Sequence, residues 1–225
     1  MAVKDDIKDE VDKLLGLAAK SLKMKLNSDT VERAYEAYIF SLCKKAVEEA
    51  GGTATLTGIK TGANPKTVIL RGAPGNMASE TQDYCYINCE LNGKYFEIHL
   101  DVQYEGTSGA THEMDVSIFD HASAEKIRDR GKLPKTNKLL AIIECKFYTY
   151  STPSTGLARG FAGLVKDCPS NRLSVFAANN GSTNLKKYFS NKGNLEPFVD
   201  LDPSNKAAED RFLRNIEQTL RKWAI

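Results

Sequence analysis

A strand-like run of apolar residues, "LLAIIECKFY" at 139–148, is interrupted by an acid and a base. Glu144 and Lys146 stand two positions apart, so on a β-strand their side chains project from the same face of the sheet. Buried charges are costly unless they are paired or bound to a ligand. The pattern therefore predicts either a salt bridge between Glu144 and Lys146 or a functional site on that face.

The preceding strand-like run, "HEMDVSIF" at 112–119, carries two more acids. Glu113 and Asp115 are expected on one face of this strand, where their charges repel unless a cation lies between them. The opposite face is expected to carry the apolar residues Met114, Val116 and Ile118. If the two runs pair as neighbouring strands, Asp115 lies near Glu144 and Lys146.

Such a cluster of carboxylates with one ammonium group is suited to a divalent cation. Mg²⁺ prefers carboxylate oxygens, keeps several waters and completes its shell with phosphate. A metal in this position can generate hydroxide and stabilise charge on a phosphodiester. Lys146 would position or activate the attacking water, or neutralise the charge that develops on the phosphate. The alternative is a structural salt bridge, from Lys146 to Glu144 or across the strands to Asp115.

The elements that must position these residues follow in the order helix, antiparallel strands, helix, strand, helix, which is typical of a mixed sheet flanked by helices. Asp29 with Glu32 forms a capping box, and Gly51 supplies the end of the helix that it begins. The pair Asn92-Gly93 between two β-rich runs predicts a tight type I′ hairpin. Further helices are expected at 5–24, 155–167 and 207–224, and a further strand is expected at 173–179.

Length and composition are those of a globular protein, with 225 residues of which 41% are hydrophobic and 27% charged. We expect one domain, with a helical appendage at 1–28, a core at 29–180 and a C-terminal loop and helix at 181–225. The five cysteines are expected to be reduced thiols. The polar start "MAVKDDIKDE" is not typical of a signal peptide, and no stretch has the length of a membrane-spanning helix. These features favour a cytoplasmic protein without membrane association.

The net charge of +2 conceals an uneven distribution. Residues 51–120 contain 4 basic and 9 acidic side chains, whereas residues 121–225 contain 18 basic and 10 acidic ones. The densest basic run, 126–138, has six Lys or Arg against one Asp. Such a run is usually a solvated surface, but beside an acidic segment it can hold a polyanion near a cation site.

The spacing from Asp115 to the triplet Glu144-Cys145-Lys146 resembles the signature of the PD-(D/E)xK superfamily, the restriction-endonuclease-like nucleases. The order of elements over 29–180 is similar to their αβββαβ core. The resemblance implies an α/β restriction-endonuclease-like fold and a Mg²⁺-dependent endonuclease that hydrolyses phosphodiester bonds of DNA, with Mn²⁺ as a substitute. It further implies a role in prokaryotic restriction or anti-phage defence, as a homodimer or in a larger complex. The choice between DNA and RNA stays open.

The resemblance also assigns roles to individual residues. Asp115 and Glu144 match the metal-binding acids, and Lys146 matches the catalytic lysine. Glu36 matches the acid that many members place on the first helix; the alternative is that Glu36 lies on the solvated flank of that helix. Glu113 is either an additional metal ligand or a neighbour paired with Arg or Lys.

Basic residues are expected to bind the phosphates of the nucleic acid. They are Lys126, Arg128 and Arg130 of the basic run, Arg159 on the following helix and Arg71 in a glycine-rich turn. A third acidic strand face carries Glu97, His99 and Asp101. It is either a second rim of the site or an exposed polar face of the sheet, the commoner explanation. The alternative function is a catalytically inactive nucleic-acid-binding or scaffold protein of the same fold, although the retention of Asp115, Glu144 and Lys146 together argues against it.

Overall fold

The structure is a computed structural model that describes residues 2–17, 25–26, 30–169, 171–190 and 195–225. Within these ranges an eight-stranded mixed sheet has helices on both faces, which confirms the expected α/β class. No helix in the same ranges combines the length and the apolar character that crossing a membrane requires.

The elements follow the expected order, with additional strands at both edges of the sheet. The helices are α1 (Ala2–Leu14), α2 (Val31–Glu49), α3 (His121–Arg130), α4 (Thr155–Lys166), α5 (Thr183–Ser190) and α6 (Lys206–Trp223). The strands are β1 (Lys25–Leu26), β2 (Thr53–Gly58), β3 (Gly62–Ala63), β4 (Ile69–Leu70), β5 (Cys85–Leu91), β6 (Lys94–Glu105), β7 (Thr111–Asp120), β8 (Leu139–Lys146), β9 (Leu173–Ala178) and β10 (Glu196–Phe198). The main sheet has the order β10-β9-β8-β7-β6-β5-β2-β3, and β1 pairs with β4 separately. Strands β10, β9 and β8 are parallel, and the other neighbours are antiparallel.

Helix α2 covers one face of the sheet and is buried along most of its length. Its N-cap is Thr30, whose hydroxyl accepts a hydrogen bond from the Arg33 backbone N–H at 3.3 Å. The expected cap, Asp29, lies outside the described residues. The helix ends at Glu49 with Ala50 as its C-cap. Gly51 follows, as expected, with a φ of +87° that glycine adopts at little cost.

The expected Asn92-Gly93 turn is confirmed. Both residues have positive φ, 51° and 76°, as a type I′ turn requires, and they join β5 to β6. Strand β6 then pairs with β7 over almost its full length. This long hairpin carries two of the acids of the site.

The ladder between β7 and β8 opens at the acids. Its last pair is Val116 with Ile143, and beyond this point a side chain replaces the backbone partner. Asp115 Oδ2 accepts the Cys145 backbone N–H at 2.7 Å. The separation of the strands leaves room for the charged side chains between their ends.

Three expectations about the elements need correction. The N-terminal helix ends at Leu14, before Gly16 with its φ of +73°, while Ala18 and Leu22 lie outside the described residues. The segment expected as a C-terminal loop contains α5 and β10. Met114 packs with the residues of α3, α4 and α5, whereas Val116 and Ile118 pack against α2 on the other face. The alternation of the strand therefore breaks at Asp115, next to the opened ladder.

Candidate metal centre

Three buried carboxylates from three different elements meet on the α2 side of the sheet. Glu36 comes from α2, Asp101 from β6 and Asp115 from β7. Each offers one oxygen, and these oxygens all lie within 4.8 Å of one another. Glu36 is only 6% exposed, which excludes its alternative placement on a solvated helix flank. Its position beside Asp115 is the one that the resemblance implies.

Asp101 is a ligand candidate for which strand periodicity allows either an exposed polar face or a second rim of the site. Its side chain is fully buried, which excludes the exposed face. Leu100 pairs with Val116 and Val102 with Met114, so Asp101 lies opposite Asp115 in the hairpin. The two acids are equidistant from the turn around Ser108, and that symmetry is a signal from which the pairing could have been predicted.

The backbone turns the Asp101 side chain towards α2. Asp101 has a φ of +50°, the left-handed conformation, in the middle of a strand. Leu100 before it packs on the α2 side, and Val102 after it packs on the opposite side. Non-glycine residues hold this conformation at a cost of about 1–3 kcal/mol, and such strain concentrates at functional sites. Aspartate is among the residues that tolerate it best.

Lys146 joins the cluster to Glu144. Its Nζ lies 2.6 Å from Glu144 Oε1 and 3.3 Å from Asp115 Oδ2, as the pairing of the two strands predicts. Both parts of the salt-bridge alternative are therefore present in the structure. Glu144 contacts Lys146 and is not one of the three acids whose oxygens converge.

Burial and mutual repulsion hold protons on the acids. Burial, together with the charges of Asp101 and Asp115, raises the pKa of Glu36 to about 8 although Arg33 opposes the shift. Burial also raises the pKa of Asp101 to about 7, again against the influence of Arg33. Burial and the charge of Asp115 raise the pKa of Glu144. The cluster therefore favours a positive ligand over three free carboxylates.

The surroundings of Lys146 favour the charged form of its side chain. Burial disfavours its charged form, but the neighbouring Asp115 and Glu144 outweigh burial and raise the pKa of Lys146 above its usual value. The side chain is accordingly an ammonium ion at neutral pH. In this charge state it can donate hydrogen bonds and stabilise negative charge, but it cannot accept a proton.

The residues of the cluster fit a hard divalent cation. All the candidate ligand atoms are carboxylate oxygens, which suit Mg²⁺ or Mn²⁺. Among the described residues, Asp101 Oδ2 is buried with no hydrogen-bond partner. A buried anionic oxygen without a partner is costly, and a metal ion would satisfy it. Glu113, expected as a further ligand, is exposed on β7; desolvation and the charge of Asp115 raise its pKa.

The remainder of the supposed polar strand face is also buried. Glu97 is fully buried, and its carboxylate accepts two hydrogen bonds from Arg128 at 2.6 and 2.7 Å. His99 Nε2 and His121 Nδ1 lie 2.8 and 2.6 Å from the same carboxylate. This network fixes α3 to β6. It gives the Arg128 guanidinium a structural partner in place of the expected phosphate.

The other expected phosphate-binding residues divide into two groups. Arg71 is buried, donates to the Asn76 carbonyl at 3.0 Å and stacks 4.2 Å above the Tyr84 ring. In contrast, Lys126, Arg130 and Arg159 are exposed. Lys126 and Arg130 line an open groove of about 350 Å³ between α3 and the segment that follows it. Three more cations line this groove: Lys132, Lys135 and Lys138.

No protein-family model matches the chain, and neither a curated protein nor a solved structure shows a significant match to it.

Proposed function

We propose that this protein is a metal-dependent nuclease with a restriction-endonuclease-like core, and that it hydrolyses phosphodiester bonds of DNA. One observation carries the proposal. Three buried carboxylates, Glu36, Asp101 and Asp115, converge beside the ammonium group of Lys146. A structural salt bridge needs one acid for each base, whereas this arrangement places several acids around Lys146 and Arg33. It also leaves Asp101 Oδ2 without a hydrogen-bond partner among the described residues.

The order of the elements supports the same core. With β2 to β5 after α2 and helix α3 between β7 and β8 taken as insertions, the elements α2, β6, β7, β8, α4 and β9 form an αβββαβ succession. Strands β6, β7 and β8 are antiparallel neighbours, and β9 lies parallel to β8. Glu36, Asp115 and the pair Glu144 and Lys146 lie on α2, β7 and β8, the elements on which the motif resemblance expects them, whereas Asp101 on β6 is an addition.

Glu36, Asp101 and Asp115 would hold Mg²⁺, with Mn²⁺ as a substitute. When bound, such an ion supplies a water of lowered pKa and charge stabilisation at the phosphate. Asp115 is oriented for this role by the Cys145 backbone N–H, which fixes one of its oxygens. Glu144 holds Lys146 at 2.6 Å and so positions the ammonium at the edge of the cluster.

The protonated state of Lys146 limits the catalytic roles that it can take. An ammonium held beside two carboxylates can orient a water and stabilise the negative charge that develops on the phosphate oxygens. Its raised pKa argues against a role as the base that accepts the proton from water. We therefore assign Lys146 to charge stabilisation.

The exposed cations support a polyanionic substrate. Phe119, which lines the groove of Lys126 and Arg130, is four residues along β7 from Asp115 and packs with residues of α3 and α4, on the face of the sheet opposite α2 and the acids. Phosphates near Lys126 and Arg130 would therefore be remote from the bond that is cut, and would contribute affinity more than chemistry.

The test is cleavage of supercoiled plasmid by the purified protein with Mg²⁺ and with EDTA. We expect nicking and linearisation only with Mg²⁺, and a loss of at least about 100-fold in Asp115→Asn and Lys146→Met, since each removes a group that acts on the reacting atoms. Glu105→Gln is the matched control, because Glu105 is an acid of the same hairpin whose ion pair among the described residues is with exposed Lys135 at 3.1 Å. A parallel assay with single-stranded RNA decides between the two nucleic acids.

Two results would count against the proposal. Cleavage that persists at the same rate in both variants would indicate a contaminating nuclease. Binding of DNA without cleavage at any divalent metal concentration would favour the alternative, a catalytically inactive nucleic-acid-binding or scaffold protein.

A further inference from the structure

Arg33 occupies the acidic cluster from the solvent side. It lies on the first turn of α2, three residues before Glu36, and its side chain is 22% exposed. Its Nη1 lies 2.6 Å from Glu36 Oε2 and 2.7 Å from Asp101 Oδ1. One nitrogen therefore bridges two of the three acids that converge.

The two cations of the site divide the acids between them. Lys146 contacts Asp115 and Glu144, whereas Arg33 contacts Glu36 and Asp101. Arg33 is thus the counterion of the two carboxylates that Lys146 does not reach. The two cations do not satisfy every carboxylate oxygen, since Asp101 Oδ2 has no hydrogen-bond partner among the described residues. This fully buried oxygen points to a second positive ligand in addition to the arginine.

We propose that Arg33 is the resident counterion of the acidic cluster and competes with the divalent cation for Glu36 and Asp101. The inference depends on the proposed function, because it assumes that these acids bind a metal. A cation that binds both carboxylates must share them with the guanidinium or displace it. Arg33 therefore already neutralises part of the negative charge of Glu36 and Asp101 before the metal ion binds. Arg33 is in this sense a positioning residue that sets the metal affinity of the site.

The same arrangement would allow the acids to be buried without a metal ion. Removing one partner of a buried ion pair leaves an uncompensated charge and is strongly destabilising. Arg33 keeps Glu36 and Asp101 paired until a metal ion replaces it. The expected consequence of its loss is a less stable metal-free protein that binds metal more tightly.

The test is a titration of the full chain with Mn²⁺ alone, followed by calorimetry at one fixed pH for all variants. We expect Arg33→Gln to lower the Kd by about tenfold, which corresponds to about 1.4 kcal/mol. Arg33→Lys keeps the charge without the planar fork and should leave the Kd within about threefold of the wild type. The melting temperature in EDTA should fall in Arg33→Gln and recover when Mn²⁺ is added.

Arg128→Gln is the matched control. It breaks another buried arginine–glutamate pair of the same chain, whose acid is not among the three that converge. We expect it to lower stability and to leave the Mn²⁺ affinity unchanged. A fall in Mn²⁺ affinity in Arg128→Gln would show that general loss of structure, and not charge competition, determines the Kd.

The possible results separate this inference from the proposed function. Tighter binding by Arg33→Gln supports competition, and so does binding by this variant when the wild type shows none. Equal or weaker binding by Arg33→Gln, with measurable binding by the wild type, overturns the role of Arg33 alone. Failure of the wild type, Arg33→Gln and Arg33→Lys to bind Mn²⁺ overturns both. If Arg33→Gln does not fold, a Kd for Arg33→Lys that differs from the wild type by more than about threefold decides against the proposal.

Discussion

Replacing Glu36 by glutamine should change how the stability of the metal-free protein depends on pH. The ordinary pKa of this carboxyl is 4.5, and in the folded protein it is about 8 because of burial and the neighbouring acids. Between these values the native state holds a proton that the unfolded state has released. The folded protein is therefore favoured at the acidic end of this window, and it loses stability as the pH rises towards 8.

The size of the effect follows from the window. Each pH unit between the unfolded and the folded pKa lowers the free energy of unfolding by about 1.4 kcal/mol, which gives an upper limit of about 5 kcal/mol over the full window. Glu36 and Asp101 share Arg33, so neither carboxyl titrates independently. We therefore expect a loss of about 2–3 kcal/mol between pH 5 and pH 7.5, as an order-of-magnitude estimate. Glu36→Gln mimics the protonated form and should not show this part of the loss.

The assay is urea unfolding of both proteins in EDTA across this pH range. Subtracting the two curves isolates Glu36 from other groups, such as Glu97, whose pKa is lowered by its hydrogen bonds from Arg128, His121 and His99 despite burial. We expect equal stability near pH 5 and a more stable Glu36→Gln above pH 7. Saturating Mg²⁺ should remove the advantage by stabilising the wild type. Parallel curves in EDTA would refute the placement of Glu36 among repelling acids.

Two further predictions concern the basic segment and its attachment. Replacing Lys126 and Arg130 together by glutamine should weaken DNA binding independently of sequence. Fluorescence anisotropy should show that the slope of log K against log salt falls by about one per lost phosphate contact. An unchanged slope in the double variant would assign both residues to the solvated surface. Glu97→Gln should lower the free energy of unfolding by about 3–5 kcal/mol in urea, because it removes the negative charge and one of the two oxygens that accept from the largely buried Arg128 guanidinium. A loss below about 1 kcal/mol would show that the network does not hold α3 to the sheet.

Local patterns predicted the parts of the fold that depend on neighbouring residues. Asn92-Gly93 specified the hairpin because both positions need positive φ. The pairing of β7 with β8 brought Asp115 to Lys146, since strand periodicity fixes which side chains share a face. Glu36 reached the cluster because its helix lies on the sheet as the order of elements implied.

The parts that the sequence did not reveal depend on single backbone conformations and on tertiary pairing. The left-handed φ of Asp101 turns its side chain to the other face, and no periodicity anticipates such a reversal. Arg128 and Arg71 appeared as phosphate-binding cations, but one is paired with Glu97 and the other is stacked on Tyr84. The sequence shows that a residue is charged, but it does not show whether the folded protein itself supplies the partner of that charge.

The most direct test of the proposed metal centre uses Asp101, whose left-handed backbone turns its side chain towards Glu36 and Asp115. Cleavage of plasmid and binding of Mn²⁺ are measured side by side for the wild type and Asp101→Asn, a substitution that keeps the size and tolerates the left-handed backbone. The account predicts Mg²⁺-dependent cleavage by the wild type, and a loss of both cleavage and Mn²⁺ affinity by at least about tenfold in the variant, since one of three anionic ligands is removed. Wild-type rates and unchanged Mn²⁺ affinity in Asp101→Asn would contradict a metal centre formed by Glu36, Asp101 and Asp115.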